Sequence, residues 1–130
     1  MALPQLLSIV EIGGYPDFSS LYQQKGYVIE QANSMRKATK RLKKMHPQVI
    51  VAEFNFQSDF RDRTSSLETL MATVQQMPAC KVIVFYEKEQ RPQLERLLAV
   101  FKVFETMAFP IEEAELSRVL DTITVEKAAV

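Results

Sequence analysis

VIVAEF, residues 49–54, is a short run that is apolar at every position except Glu53. Its β-branched and aromatic residues favour a β-strand. Because the run is apolar on both of its alternating faces, we predict that the strand lies in the middle of a parallel sheet, with helices above and below it. Glu53 would then lie near the carboxyl end of the strand, where sites form in sheets of this kind.

Four other runs have the same character and are predicted to be strands: LLSIVEI (6–12), YVIEQA (27–32), KVIVFY (81–86) and KVFETM (102–107). The segments between them carry apolar residues at helical spacing, which predicts helices at 17–26, 33–47, 65–78, 91–101 and 111–123. Strands that alternate with helices require crossover connections, so the sheet is predicted to be parallel. The expected fold class is α/β, a doubly wound (βα)5 three-layer sandwich.

Residues that favour helix ends mark several of these boundaries. Asp17 is a good N-cap for the first helix, and Gly26 suits the left-handed position that follows its last turn. Asn33 or Ser34 can cap the second helix. Pro92 fits the first turn of the fourth helix, because proline lacks the N–H group that has no partner there.

The composition fits one soluble domain. The chain has 130 residues, with 16 basic and 16 acidic side chains, so no overall charge favours nucleic acid or an anionic membrane. Its single cysteine, Cys80, cannot form an internal disulfide, and no apolar run is long enough to span a bilayer or to act as a signal peptide. We expect one cytoplasmic domain over residues 1–130, with a core at 5–123 and a frayed tail at 124–130.

From about Gln5 to Ile123, the order and spacing of these segments resemble a response-regulator receiver domain of the chemotaxis-protein type. The segments that carry the resemblance are LLSIVEI, GYVIEQA, PQVIVAE, CKVIVFY and FPIEEAELSRVL. The resemblance implies a flavodoxin-like, five-stranded parallel sheet with the strand order 2-1-3-4-5. It also implies a role in signal transduction.

Receiver domains of this type hold a magnesium ion on an acidic cluster and accept a phosphoryl group on an aspartate. By resemblance, the acidic pair of the first strand falls on Glu11 and Ile12, so one of its two carboxylates is missing. Glu53 falls on the phosphoacceptor position, and its side chain is one methylene longer than that of aspartate. Asn55 falls where the family uses a backbone carbonyl as a magnesium ligand, a role that nearly any residue can fill.

The residues that read the phosphoryl charge in this family are also replaced. The hydroxyl position at the end of the fourth strand falls on the bulky Tyr86, and the lysine before the proline falls on Phe109. Phosphoryl transfer depends on cationic compensation of spread negative charge. We therefore expect no phosphoryl acceptance, no catalytic residue and no cofactor, and the chain is predicted not to be an enzyme.

Several interpretations of Glu53 remain open. It can be a strand-end acid in a solvated loop, with no chemistry, or a fixed imitation of a phosphorylated aspartate. It can also contribute, with Glu11 and Asp59, to a residual divalent-metal site. The corresponding alternative function is a ligand binder or enzyme of flavodoxin-like fold that uses the strand-end acidic pocket for a metal or a small anion.

The second predicted helix is rich in basic residues. No acid lies between Asn33 and Pro47, and the predicted basic face comprises Arg36, Lys37, Lys40, Arg41 and Lys44. Such a face fits an acidic protein partner or plain solvation. Nucleic acid is not expected, because no aromatic residue is interleaved for base stacking.

The segment from Glu105 to Glu126 has the opposite bias, with six acids and one base. In receiver domains the fourth helix, fifth strand and fifth helix bind partners, so by resemblance residues 91–123 are the expected interface, with two separately solvated helices as the alternative. The candidate interface residues are Leu94, Leu98, Phe101, Phe104, Glu112 and Glu115. We expect a non-phosphorylatable pseudo-receiver, a regulatory module that binds a protein partner or a second copy of itself, with no membrane contact and no small-molecule substrate.

Overall fold

The structure is a computed structural model that describes residues 4–10, 17–54, 67–76 and 80–128. Its strands are β1 (Gln5–Ile9), β2 (Val28–Ala32), β3 (Val49–Glu53), β4 (Lys81–Tyr86) and β5 (Glu105–Ala108). Its helices are α1 (Ser19–Gln24), α2 (Met35–Arg41), α3 (Leu67–Val74), α4 (Arg91–Leu98) and α5 (Glu113–Ala128), with a short 3-10 helix at Lys88–Gln90 directly before α4. Strands and helices therefore alternate along the described chain, as predicted.

The strands form one parallel sheet in the order β2-β1-β3-β4-β5. This confirms the predicted doubly wound α/β fold and its strand order. β3 is central, and every one of its residues is buried, with Val49 and Ile50 fully enclosed. Since alternate residues of a strand point to opposite faces, burial of the whole strand means that both faces of the sheet are covered.

The core has two apolar layers, one on each face of the sheet. On one face, Leu7, Ile50 and Val84 pack with residues of α2, α3 and α4. On the other face, Val49 and Ile83 pack with residues of α1 and α5. The helices therefore form two layers, α2–α4 on one side and α1 with α5 on the other.

Three of the predicted helix-end residues have the expected roles. The Oγ atom of Ser34 accepts a hydrogen bond of 3.1 Å from the backbone N–H of Lys37, so Ser34 is the N-cap of α2. Gly26 follows α1 with a φ of +92°, in the left-handed region that glycine adopts most readily. Pro92 lies in the first turn of α4, as predicted.

The start of α1 differs from the prediction by one residue. Phe18, rather than Asp17, is the N-cap, and its side chain forms no capping hydrogen bond. Asp17 still satisfies the start of the helix, because its Oδ1 atom accepts hydrogen bonds from the backbone N–H and the hydroxyl of Ser19, at 2.9 and 2.6 Å. The Asp17 carboxylate, one residue before the N-cap, therefore accepts a hydrogen bond from one of the N–H groups that the start of a helix leaves without a partner.

β5 begins at Glu105, three residues later than the predicted start at 102. The chain first makes a turn after α4, in which the N–H groups of Val100 and Phe101 donate to the carbonyl of Leu97, at 3.0 and 2.9 Å. Phe101 is buried in the α2–α4 layer. The β-rich composition of this segment therefore reflects burial at a turn as well as strand formation.

α5 starts two residues later than predicted, and its backbone stays helical as far as Ala128, beyond the predicted end at Ile123. Leu116, Leu120 and Ile123 are buried against α1 and the sheet, which confirms the predicted apolar stripe. α5 is the longest of the described helices, and none of them is long and apolar enough to cross a membrane.

Candidate functional site at the carboxyl ends of the strands

The carboxyl ends of β3, β4 and β5 lie side by side in the sheet. Glu53 pairs with Phe85 in the parallel register, and Tyr86 pairs with Ala108. The backbone N–H of Phe109 donates a hydrogen bond of 2.8 Å to the carbonyl of Tyr86. Three positions identified by resemblance, Glu53, Tyr86 and Phe109, therefore lie at neighbouring strand ends.

Glu53 is the last residue of β3 and is only 4% exposed. Val49 and Val51, at the alternate positions before it, belong to the layer of α1 and α5, so the carboxylate points to that face of the sheet. Glu53 is therefore the strand-end acid that the sequence predicts, but its side chain is buried rather than solvated. Glu53 is part of the packed interior. Burial of a carboxylate costs free energy unless polar groups compensate its charge.

A cleft of about 250 Å³ lies beside Glu53, between the sheet and α1. Its described polar lining consists of Ser8, Asp17, Gln31 and Glu53, and its aromatic lining consists of Phe18, Tyr22 and Phe85. The rings of Phe18 and Phe85 meet edge to face, with their centroids 6.1 Å apart. No lysine or arginine is among the described lining residues, so the lining is acidic.

The environment of the cleft favours negative charge on Asp17 and disfavours it on Tyr22. Hydrogen bonds from Ser19, first from its hydroxyl and then from its backbone N–H, hold the pKa of the Asp17 carboxyl below its ordinary value of 3.8. Burial raises the pKa of the Tyr22 phenol, and the charge of Asp17 raises it further. At neutral pH an ionised carboxylate at Asp17 therefore lies beside a neutral phenol.

The hydroxyl of Tyr86 is engaged by α4. The Nη1 atom of Arg91 donates a hydrogen bond of 2.7 Å to the Oη atom of Tyr86. The Arg91 guanidinium lies 5.4 Å from the centroid of the Tyr86 ring, and its Nε atom donates to Oε1 of Glu95 at 3.1 Å. The hydrogen bonds to Glu95 and to Tyr86 raise the pKa of Arg91.

The ring of Tyr86 lies on the other face of the sheet from Glu53. Tyr86 is buried with Val82 and Val84 in the α2–α4 layer, whereas the residues that alternate with Glu53 face α1 and α5. The strand ends are therefore neighbours, but the two side chains belong to different layers. The bulky phenol serves as a packing and hydrogen-bonding group for α4.

The position of the receiver lysine holds an aromatic residue. Phe109 follows β5 and is half-buried, and the Phe109–Pro110 peptide bond is cis. Its side chain supplies apolar bulk at the strand edge and carries no charge. By resemblance a lysine is expected at this position. Phe109 supplies no positive charge there.

Three remaining candidates lie outside the described residues, namely Glu11, Asn55 and Asp59. In the part of the chain that the structure describes, no group of three or more His, Cys, Asp or Glu side chains is arranged to hold a metal ion. Magnesium prefers an octahedral set of oxygen ligands. The described residues alone do not supply such a set.

The predicted basic face of α2 is exposed. Exposed basic residues extend over α2 and the turn that follows it, and they are Arg36, Lys37, Lys40, Arg41, Lys43 and Lys44. Arg41 forms an ion pair with Glu30 of β2, with 3.2 Å between Nη1 and Oε2. The buried side of the helix holds Ala38 and Leu42, so the charged residues occupy the opposite side.

Two of the six candidate interface residues are buried. Leu94 is fully buried and Phe101 is 8% exposed, and both belong to the α2–α4 layer, so neither side chain can contact a partner in this structure. Leu98 and Phe104 are half-buried, whereas Glu112 and Glu115 are exposed. The predicted interface therefore keeps four of its six residues as accessible candidates.

Sequence reasoning missed two features of α4 and of the turn that follows it. Val100 is 67% exposed, and it could have been found because it falls off the apolar stripe of its predicted helix. Arg91 contacts Tyr86 from five residues further along the chain. Its only signal in the sequence is a basic residue at the first position of a helix that follows the strand.

Solved structures of receiver domains have the same fold at low sequence identity. A response regulator receiver domain protein from Clostridium thermocellum matches with a TM-score of 0.74 and 14% identity, over 98% of each chain. The signal receiver domain of an HD domain-containing protein from Pseudomonas fluorescens Pf-5 matches with a TM-score of 0.75 and 14% identity, over 98% of each chain. The chemotaxis response regulator CheY4 of Vibrio cholerae matches with a TM-score of 0.71 and 16% identity, over 94% of this chain and 99% of that one.

No protein-family model and no curated protein sequence match the chain. At these identities the structural similarity shows the fold alone. The strand order, the parallel register and the helical layers agree with that similarity. The chain therefore has the flavodoxin-like fold of response-regulator receiver domains.

Proposed function

We propose that the chain is a pseudo-receiver, a regulatory module of signal transduction that takes no phosphoryl group and acts by binding another protein. The observation that carries this proposal is the acidic cleft beside Glu53, whose described lining holds two carboxylates and no lysine or arginine. Phosphoryl transfer needs positive charge to balance the transferred group. Two carboxylates supply no such charge themselves, and they repel that group unless a cation lies between them.

The strand ends beside the cleft support the same proposal. Tyr86 replaces a small hydroxyl residue, and its Oη atom already accepts a hydrogen bond from Arg91. Phe109 replaces the lysine. A phosphorylated side chain at position 53 would therefore lack both groups that read its charge in receivers, so neither the transfer nor the response to it is supported.

Covalent catalysis by the single cysteine is also unsupported. Cys80 directly precedes β4 and is half-buried, and burial raises the pKa of its thiol to about 12. The thiol form is a poor nucleophile, and reactive cysteines have a lowered pKa. We therefore propose a non-enzymatic role.

The proposed route of the signal is a surface within residues 91–123. Five accessible residues make up this surface, which we call the interaction surface: Leu98, Val100, Phe104, Glu112 and Glu115. Val100 exposes most of its apolar side chain, and two exposed carboxylates lie further along. Partner surfaces commonly combine apolar contact with a polar rim, and this set offers both.

The test of phosphoryl chemistry is an amide NMR titration with beryllofluoride and Mg²⁺. We expect no saturable shift in residues 51–54, 84–86 and 107–109, because the cations that would hold the analogue are missing. The variant Phe109→Lys is the matched control, since it restores one cation to the strand edge. Saturable wild-type shifts at the strand ends that disappear in Glu53→Gln would overturn the proposal.

The test of binding is affinity capture from the source cells with the wild-type chain and two variants. Val100→Asp changes the interaction surface, and Lys88→Asp changes an exposed residue before α4 that lies outside it. We expect a specific protein that the wild type and Lys88→Asp retain and that Val100→Asp loses. Equal retention by both variants would show that the interaction surface is not the binding site.

A second candidate function is the binding of a small ligand in the cleft. The carboxylates of Asp17 and Glu53 and the aromatic rings around them favour a small cation over the anion that the sequence also allowed. Mg²⁺ alone, titrated before beryllofluoride is added, tests the inorganic case. Saturable shifts at Ser8, Asp17 and Gln31 would favour this candidate, whereas their absence leaves the interaction module.

A further inference from the structure

The charges of the chain are segregated although they sum to zero. Lys37, Lys40, Lys43 and Lys44 are exposed on α2 and the turn after it, and none of them forms an ion pair with another residue in the described ranges. We call this set the basic face. The ion pair nearest in sequence, between Arg41 and Glu30, leaves these four lysines uncompensated.

The matching negative charge lies at the start of α5. Glu112, Glu113 and Glu115 are exposed there, and the described part of the chain provides no ion pair for them. Asp121, further along α5, is instead paired with Lys25, at 2.7 Å between Nζ and Oδ1. We call Glu112, Glu113 and Glu115 the acidic turn.

The fold prevents the two patches from neutralising each other within one chain. α2 follows β2 and α5 follows β5, and these strands are the two edges of the sheet. The helices also belong to opposite layers of the fold, so the described residues of one patch do not compensate those of the other within one chain.

We propose that the basic face is the docking site for the acidic turn of a second copy of the chain, so that copies associate head to tail. Equal numbers of acidic and basic residues remove the overall repulsion between copies. The acidic turn includes Glu112 and Glu115 of the interaction surface, so the inference rests in part on the proposed function. The basic face lies outside that surface.

The geometry of this contact determines the form of the assembly. The two patches differ, so the contact is heterologous, and a dimer leaves one basic face and one acidic turn open. Association therefore continues past the dimer, into an open chain or a closed ring, unless an end is blocked. Because the charges are exposed, the association is weak and is lost in high salt.

Nucleic acid fits the basic face less well than a second copy does. Residues 33–47 contain no Phe, Tyr or Trp on which a base could stack. The chain itself, in contrast, supplies a cluster of uncompensated carboxylates. Charge complementarity therefore favours self-association.

The test is sedimentation velocity of the full chain over a range of concentrations, in low and in high salt. We expect the weight-average sedimentation coefficient to rise with concentration in low salt and to lose that rise in high salt. The double variants Lys37→Gln with Lys40→Gln, and Glu113→Gln with Glu115→Gln, should each lose the rise. Lys88→Gln with Lys102→Gln, which makes the same charge change at exposed positions outside the basic face, should keep it.

An equimolar mixture of the two patch variants provides the sharpest outcome. Each variant keeps one intact patch, so the mixture should form pairs that grow no further. A wild type that stays monomeric, a rise that persists in high salt, or patch variants that associate like the wild type would each overturn the inference. If the wild type stays monomeric while beryllofluoride still produces no shifts at the strand ends, the self-association is wrong and the pseudo-receiver proposal stands.

Discussion

Arg91 donates a hydrogen bond of 2.7 Å from its Nη1 atom to the Oη atom of Tyr86, which joins the first residue of α4 to the last residue of β4. The same guanidinium pairs with Glu95 one turn further along the helix. The phenol at the end of β4 therefore anchors α4. The group is structural here because its ring is buried and its oxygen is already engaged.

Two substitutions at Tyr86 separate the contribution of its ring to stability from that of its hydroxyl. Tyr86→Ala removes a buried aromatic ring and should lower the free energy of unfolding by about 3–5 kcal/mol. Tyr86→Phe removes only the oxygen that Arg91 contacts, so its cost should be much smaller. Urea unfolding followed by circular dichroism measures both values, and equal losses in the two variants would show that the ring does not pack as described.

Leu94 and Leu98 test which side of α4 faces the core. Leu94 is fully buried, so Leu94→Ala should cost about 2–5 kcal/mol of unfolding free energy. Leu98 lies one turn later and is half-buried, so Leu98→Ala should cost clearly less. The comparison uses one residue type in one helix, and a larger loss at Leu98 would contradict the assignment of Leu94 to the core.

Substitutions at Ser34 and Asn33 test which of these two residues caps α2. Ser34→Ala removes the acceptor for the Lys37 N–H and should lower the free energy of unfolding by about 1 kcal/mol. Asn33→Ala should change it by less than about 0.5 kcal/mol, as is usual for an exposed position. Chemical denaturation provides the measurement, and a reversed order of the two losses would place the cap at Asn33.

Asp17 should add a small pH-dependent contribution to stability. Its pKa is lowered in the folded state, so its contribution is present above the ordinary value of 3.8 and is lost as the pH falls through the folded pKa. The stability difference between the wild type and Asp17→Asn should therefore shrink as the pH falls below about 4. Because the carboxyl is almost fully solvated, the difference is small, and a difference that grows towards acid pH would contradict it.

Much of the fold could be predicted because the central strands carry an unambiguous pattern. KVIVFY was predicted as a strand over 81–86, and β4 spans the same residues. VIVAEF became the fully buried β3 because its apolar residues occupy both faces. These runs determine the layer order, since a parallel strand buried on both faces requires helices on each side.

The features that could not be predicted depend on distant parts of the chain. The cleft beside Glu53 is also lined by Phe18, the N-cap of α1, and by Tyr22 of α1, which come together with Glu53 only once the sheet has formed. The late start of β5 depends on a turn that buries Phe101, although the segment has a strand-like composition. The inclusion of Leu94 in the interface came from the resemblance, whereas helical periodicity alone would have placed it in the core.

The most direct test of the central claim is incubation of the chain with acetyl phosphate and Mg²⁺, followed by intact-mass spectrometry under conditions that preserve acyl phosphates. The acidic cleft, Tyr86 and Phe109 predict no phosphorylated species in the wild type. A phosphorylated species that forms in the wild type, requires Mg²⁺ and is abolished in Glu53→Gln would contradict the account.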